Sequence, residues 1–139
     1  MPTARDLMTV DVRCIPADET LDRAARLMRD HGIGALPVRS DDGTLTGIVT
    51  DRDIVVKVLA AGKEAAEVTA GDLADGGPRT VPADADAAEA VRVMSDARIR
   101  RLVVVDDGEP VGVITEADLA RHLPADQFAS FASSVYARG

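Results

Sequence analysis

The chain has one cysteine, Cys14, no tryptophan, and only three aromatic residues among 139, all in the last stretch: Phe128, Phe131 and Tyr136. A lone cysteine excludes an internal disulfide and a cysteine-based metal cluster. Cys14 stands in an expected strand, Val12 to Ile15, where a buried inert thiol and a bridge to a second chain are both open readings. Basic residues are outnumbered, 16 against 24 acidic ones, for a net charge of −8. That balance excludes nucleic-acid binding by general phosphate attraction but leaves room for a local basic pocket holding one small anion. No apolar run approaches the ~18 residues of a membrane span, and the first residues lack a charged-then-apolar signal pattern. The expectation is a cytoplasmic protein with no membrane or nucleic-acid partner. Neither a glycine-rich phosphate loop nor a histidine pair at metal-ligand spacing is present. His31 at a helix end is more simply a partner for the helix dipole. Ser130, Ser133 and Ser134 have no neighbour in sequence to activate them, so no catalytic residue is expected.

What is present is written twice. Gly47-Ile48-Val49-Thr50-Asp51-Arg52-Asp53 reads as an apolar strand ending at Thr50 and turning directly into a helix. Gly112-Val113-Ile114-Thr115-Glu116-Ala117-Asp118 repeats the glycine, the aliphatic pair, the threonine and the aspartate at the same spacing. The elements before each junction repeat too. A helix over Leu21 to His31 carries Leu21, Ala24, Ala25, Leu27 and Met28 at helical spacing and ends at Gly32. Strands Ala35 to Val38 and Leu45 to Val49 follow, joined at Asp41-Asp42-Gly43 as a hairpin. The second copy has Pro78 to Pro82, a helix over Ala87 to Ala97, strand Leu102 to Val105 and a turn at Asp107-Gly108. Leu36 to Leu102 is 66 residues and Gly47 to Gly112 is 65, so one residue is dropped near Ser40. Asp72-Leu73 echoes Asp6-Leu7. The helix after Thr50 places Ile54, Val55, Val58 and Leu59 on one side and stops near Gly62, and the connection from Gly62 to Thr69 is partly helical. By sequence the chain divides into 1–66, 67–124 and a tail, 125–139. In the tail Phe128, Phe131 and Val135 recur at helical spacing and must bury on this chain's core or on another chain.

At each junction the residues allow two readings. A threonine N-cap with an acid three residues on is the capping-box pattern. Capping boxes prefer Glu or Gln there, however, and the shorter Asp is expected to be freer to face outward. Alternatively, the helix start offers unpaired N–H groups for a phosphate, the threonine hydroxyl can donate to it, and the aspartate can accept from the two hydroxyls of a ribose.

The double order strand, helix, strand, strand, helix, with its repeated glycine-aliphatic-aliphatic-threonine-x-x-aspartate junction, resembles the CBS domain. The duplication looks like a CBS pair, or Bateman module, over about Thr3 to Pro124. Ile33 to Val38 with Asp41-Asp42-Gly43, and Ile99 to Gly108, carry the same resemblance, with Val103 where the family's proline usually stands. Thr50 to Gly62 and Thr115 to Pro124 are similar, more narrowly, to stand-alone CBS-pair proteins of actinobacteria. The resemblance implies an α+β fold of tandem repeats related by a pseudo-two-fold, with small sheets packed together, flanking helices, and ligand clefts between the repeats. It implies a regulatory module for an adenosine nucleotide of the AMP, ADP or ATP class, with no required cofactor. Thr50 and Thr115 would lie near phosphate and Asp53 and Asp118 on ribose. Ile15, Ala35, Pro37 and Val81 belong to the strands that would flank adenine, and their other role is core. Arg100 and Arg101 would hold phosphates; a solvated arginine pair is the other reading. The implied partners are a second copy of the chain and an effector protein. The alternative is a ligand-free interaction homodimer in which the threonines and aspartates serve as caps.

Overall fold

The computed structural model describes residues 2–10, 12–74 and 79–136. Its elements are α1 (Ala4–Leu7), β1 (Ile15–Pro16), α2 (Leu21–His31), β2 (Ala35–Arg39), β3 (Leu45–Thr50) and α3 (Asp51–Ile54), which continues as a π-helical segment (Val55–Leu59). After a 3₁₀ turn (Ala65–Glu67) come α4 (Ala70–Leu73), β4 (Thr80–Pro82), α5 (Ala87–Ala97), β5 (Arg101–Asp106), β6 (Glu109–Thr115), α6 (Glu116–His122) and α7 (Ala125–Tyr136). This is an α+β fold with two small mixed sheets, β1-β2-β3 and β4-β5-β6, each with a parallel pair followed by an antiparallel one. The two hairpins slip register at corresponding places, between Val38 and Arg39 and between Val104 and Val105, and the dropped residue lies in the turn beyond.

Each repeat buries its own core. In the first, Leu21, Ala24 and Met28 of α2 lie against Leu36, Val38 and Val49 of the sheet, as the helical spacing requires. In the second, Ala87, Ala90 and Met94 of α5 join Leu102, Val104 and Ile114. Gly32 takes the left-handed cap at the end of α2, with φ 64°. The tail buries Phe131 and Val135 within the second core, so the choice left open by the sequence falls to this chain.

The compact units do not follow the order of the chain. One is residues 13–78, and the other joins residues 1–12 to residues 79–139. The segment leading into the first repeat therefore packs with the second: Ala4 and Leu7 lie in its core, and the Ala4 and Arg5 amides donate to the carbonyls of Ala85 and Ala83. The connection after the first repeat stays with the first. Ala70 is in its core, and the Gly71 amide donates to the Ala17 carbonyl at 2.7 Å.

This arrangement explains the repeated glycine. A Cβ on Gly112 would run into Met8 Sδ and would meet the Thr9 carbonyl oxygen at 2.9 Å. On Gly47 it would meet Ala74 Cβ at 2.8 Å and its Cα at 3.0 Å. Each strand lacks a side chain where the chain leaving a short helix passes it, so the backbones approach closely.

Two expectations need correction. The first strand is Ile15–Pro16, not Val12 to Ile15, so Cys14 lies outside it and is partly exposed. Only Ile15 and Pro16 pair with β2, and without a ladder residues 12–14 have no strand to form. In the second repeat Pro78 falls outside the described residues. Finally, the helix after Thr50 does not keep one apolar side. The α-turn gives way at Val55, and the wider π turn buries Ile54 and Val58 while leaving Val55, Val56 and Leu59 at 55%, 48% and 65% exposure.

Candidate functional site

At the first junction β3 ends at Thr50 in extended geometry and α3 begins on the next residue. Ala35 pairs with Thr50 across the sheet, and the Gly34 carbonyl accepts from the Asp51 amide at 3.0 Å. The Thr50 amide donates to Asp53 Oδ2 at 3.0 Å, and the Asp53 amide donates to Thr50 Oγ1 at 3.1 Å. Asp53 Oδ1 faces Lys57 Nζ at 3.5 Å, with 23% of the aspartate side chain exposed. Among the described residues nothing takes the Thr50 hydroxyl proton.

The second junction copies the backbone and closes the side chains. Arg101 pairs with Thr115, and the Arg100 carbonyl accepts from the Glu116 amide at 3.0 Å. The Thr115 amide donates to Asp118 Oδ2 at 2.8 Å, and the Asp118 amide donates back to Thr115 Oγ1 at 3.2 Å. Here the Thr115 hydroxyl proton also goes to Asp118 Oδ2, at 3.1 Å. Oδ1 accepts from the Thr9 hydroxyl at 2.8 Å and from the Arg121 guanidinium. Asp118 is 1% exposed. A buried carboxylate needs such a full set of donors, and the first-unit counterpart does not have it.

The expectation that the shorter carboxylate would face outward is therefore corrected at both junctions, because each Asp reaches back to its cap. The pattern also occurs away from them. The Thr69 amide donates to Asp72 Oδ2 at 3.0 Å, ahead of α4, and holds the Asp72 carboxyl below its ordinary value. Thr3 and Asp6 repeat the amide bond at 2.8 Å ahead of α1. Thr-x-x-Asp is thus a capping device wherever it stands, and a ligand role at a junction is an addition to that one. The spacing of Asp53 to Lys57 and of Asp118 to Arg121 was a readable signal of an ion pair on one helical face. Nothing local announces Thr9.

Of the remaining candidates, Ala35 and Arg101 sit opposite the junction threonines, and Arg100 sits beside its own. Ile15 and Val81 are 3% and 1% exposed and face their cores; Pro37 is buried opposite Ile48. Arg100 has a neighbour the sequence did not indicate. Its Nη1 lies 3.3 Å from Tyr136 Oη, and its guanidinium carbon stands 5.8 Å from the tyrosine ring centroid.

A profile of the CBS domain matches residues 4–60 and again 70–125. The chain belongs to the CBS domain family. As a CBS pair it is 46% identical over 135 residues to hypoxic response protein 1 of Mycobacterium tuberculosis, covering 97% of this chain and 94% of that protein. The crystal structure of hypoxic response protein I with two coordinated zinc ions superposes with a TM-score of 0.76 at 48% identity, covering 88% of this chain and 99% of that one. The structure of CBSX2 in complex with AMP superposes at 0.70 with 28% identity, covering 87% of this chain and 95% of that one. Zinc is a property of that mycobacterial structure; among the described residues here, no group of three or more His, Cys, Asp or Glu side chains could hold a metal ion. No helix among the described residues is long and apolar enough to cross a membrane.

Proposed function

We propose that this CBS pair is a cytoplasmic, non-catalytic sensor that binds an adenosine nucleotide and passes its state to a partner protein. The observation that carries this reading is the contrast between the junctions. At the first, the Asp53 side chain is partly exposed, its Oδ1 meets a single ion pair at 3.5 Å, and Thr50 has an uncommitted proton. A ribose diol can donate to Asp53 without uncovering a buried charge, and Thr50 can donate to a phosphate. At the second, Asp118 would have to give up Thr9 or Arg121 first, so Thr115, Asp118, Arg100 and Arg101 form the weaker site. The AMP-bound relative supports an adenosine ligand.

The test is a thermal-shift panel with AMP, ADP, ATP, S-adenosylmethionine, NAD and GTP on wild type and Asp53→Ala. At about a hundredfold excess over the dissociation constant, the bound ligand stabilises by ~2.7 kcal/mol. One adenosyl ligand is expected to raise the melting temperature of wild type and not of the variant. If no ligand moves wild type, the reading fails and the second one stands: an interaction homodimer with capped helices, which the capping geometry at Thr50, Thr69 and Thr115 favours.

Both readings include a homodimer. The apolar strip of Val55, Val56 and Leu59 supports it, because exposed aliphatic side chains grouped on one short segment are a surface for a second copy. Light scattering is expected to give twice the 14.6 kDa chain mass for wild type and the single mass for a Val55→Asp/Leu59→Asp variant. A monomeric wild type refutes this.

A further inference from the structure

The last described residue of α7 closes a circuit around the arginine proposed to hold phosphate. The Tyr136 hydroxyl donates to Glu116 Oε2 at 2.7 Å, and Arg100 Nη1 donates to the same hydroxyl oxygen at 3.3 Å. The guanidinium stands over the ring at 5.8 Å from its centroid, within reach of a cation–π attraction. The Glu116 amide in turn donates to the Arg100 carbonyl. One tyrosine therefore engages a donor on the guanidinium edge, carries the guanidinium carbon over its ring, and is itself held by an acid that begins the helix after Thr115.

We propose that the end of α7 is an intramolecular competitor for Arg100, a latch that a bound phosphate must displace. This rests on the reading of Arg100 as a phosphate-holding residue. Paired capture of a phosphate uses two edge donors of the guanidinium at once, and one of them is turned to Tyr136. The helix is fixed one residue earlier by Val135 and further back by Phe131, at 6% and 2% exposure, whereas Tyr136 is 52% exposed. The ring can swing away while the helix stays seated. Release of Arg100 frees the tyrosine, so occupancy of the second repeat is converted into exposure of an aromatic side chain at the end of the tail. The apparent affinity for a phosphate-bearing ligand is lowered by the fraction of time the latch is closed. For a partly exposed cation–π contact with one hydrogen bond that factor is about three to ten.

Calorimetry with AMP, ATP and inorganic pyrophosphate, and with adenosine as the phosphate-free control, tests this on wild type, Tyr136→Ala, Tyr136→Phe and Arg100→Ala. The chain has one tyrosine, so its ring NMR signals belong to Tyr136 without ambiguity. Tyr136→Ala is expected to bind the phosphate-bearing probes about three- to tenfold more tightly than wild type, with adenosine unchanged. Tyr136→Phe, which keeps the ring and its packing, should fall between. Pyrophosphate should move the wild-type ring signals towards those seen in Arg100→Ala. Equal affinities for pyrophosphate in wild type and both tyrosine variants, or ring signals that saturating pyrophosphate leaves in place, overturn the latch while the ligand reading stands. If no probe binds any of the four proteins, both fall together.

Discussion

Replacing Asp118 by alanine is expected to lower the free energy of unfolding by about 2–4 kcal/mol, against about 1 kcal/mol for Asp53→Ala. The two substitutions remove the same helix cap, and that shared part is worth about 1 kcal/mol. The difference comes from what surrounds Asp118: at 1% exposure its carboxylate also satisfies the Thr9 hydroxyl and the Arg121 guanidinium. Truncation leaves the Thr9 hydroxyl without an acceptor and the Thr115 amide without its cap bond. Arg121 is 61% exposed on its side chain and returns to water, which keeps the loss below that of a fully buried pair. Urea unfolding of the two variants beside wild type measures both numbers from the midpoints at constant slope. Equal losses would mean that the closed network around Asp118 contributes nothing beyond capping, and the ranking of the two junctions as ligand sites would lose its physical basis.

Phe131→Ala is expected to cost about 3–5 kcal/mol, the range for a large aromatic removed from a core. Phe131 is 2% exposed and lies in the same core as Leu7, Met94 and Leu119, with Phe128 beside it at 6.2 Å between ring centroids. A loss of that size, read by thermal or urea unfolding, makes α7 part of the second repeat's interior. A loss under about 1 kcal/mol would be that of a surface side chain and would detach the tail from the core. The result also bears on the latch, because Tyr136 can be controlled in place only if the helix beneath it is held.

The repeats, the element order and the core face of α2 were legible because burial writes a 3.6-residue period into Leu21, Ala24 and Met28. The capping threonines were legible for a similar reason, being local to their helices. What escaped the sequence depends on separation along the chain. Thr9 and Asp118 meet across 109 residues, and nothing in the spacing of Thr115 to Asp118 differs from that of Thr50 to Asp53. Two junctions with the same threonine-to-aspartate spacing thus became one open and one closed. The exchange of α1 and α4 escaped as well: Asp6-Leu7 and Asp72-Leu73 look alike in sequence, and only the packing shows that each leans on the other repeat's strand. The π segment was misread because Val55, Val58 and Leu59 obey a period that the backbone abandons at Val55.

That exchange has a consequence in time. The unit spanning residues 13–78 is uninterrupted in the chain, whereas the other needs residues 1–12 and 79–139 together. On a ribosome the first repeat has everything it requires once it has emerged. Ala4 and Leu7, already made, must wait for the strand and helix residues that will cover them. At ~5–20 residues per second, the roughly 60 residues still to come occupy about 3–12 s. For that interval Ala4 and Leu7 are without a place while the first repeat is already whole.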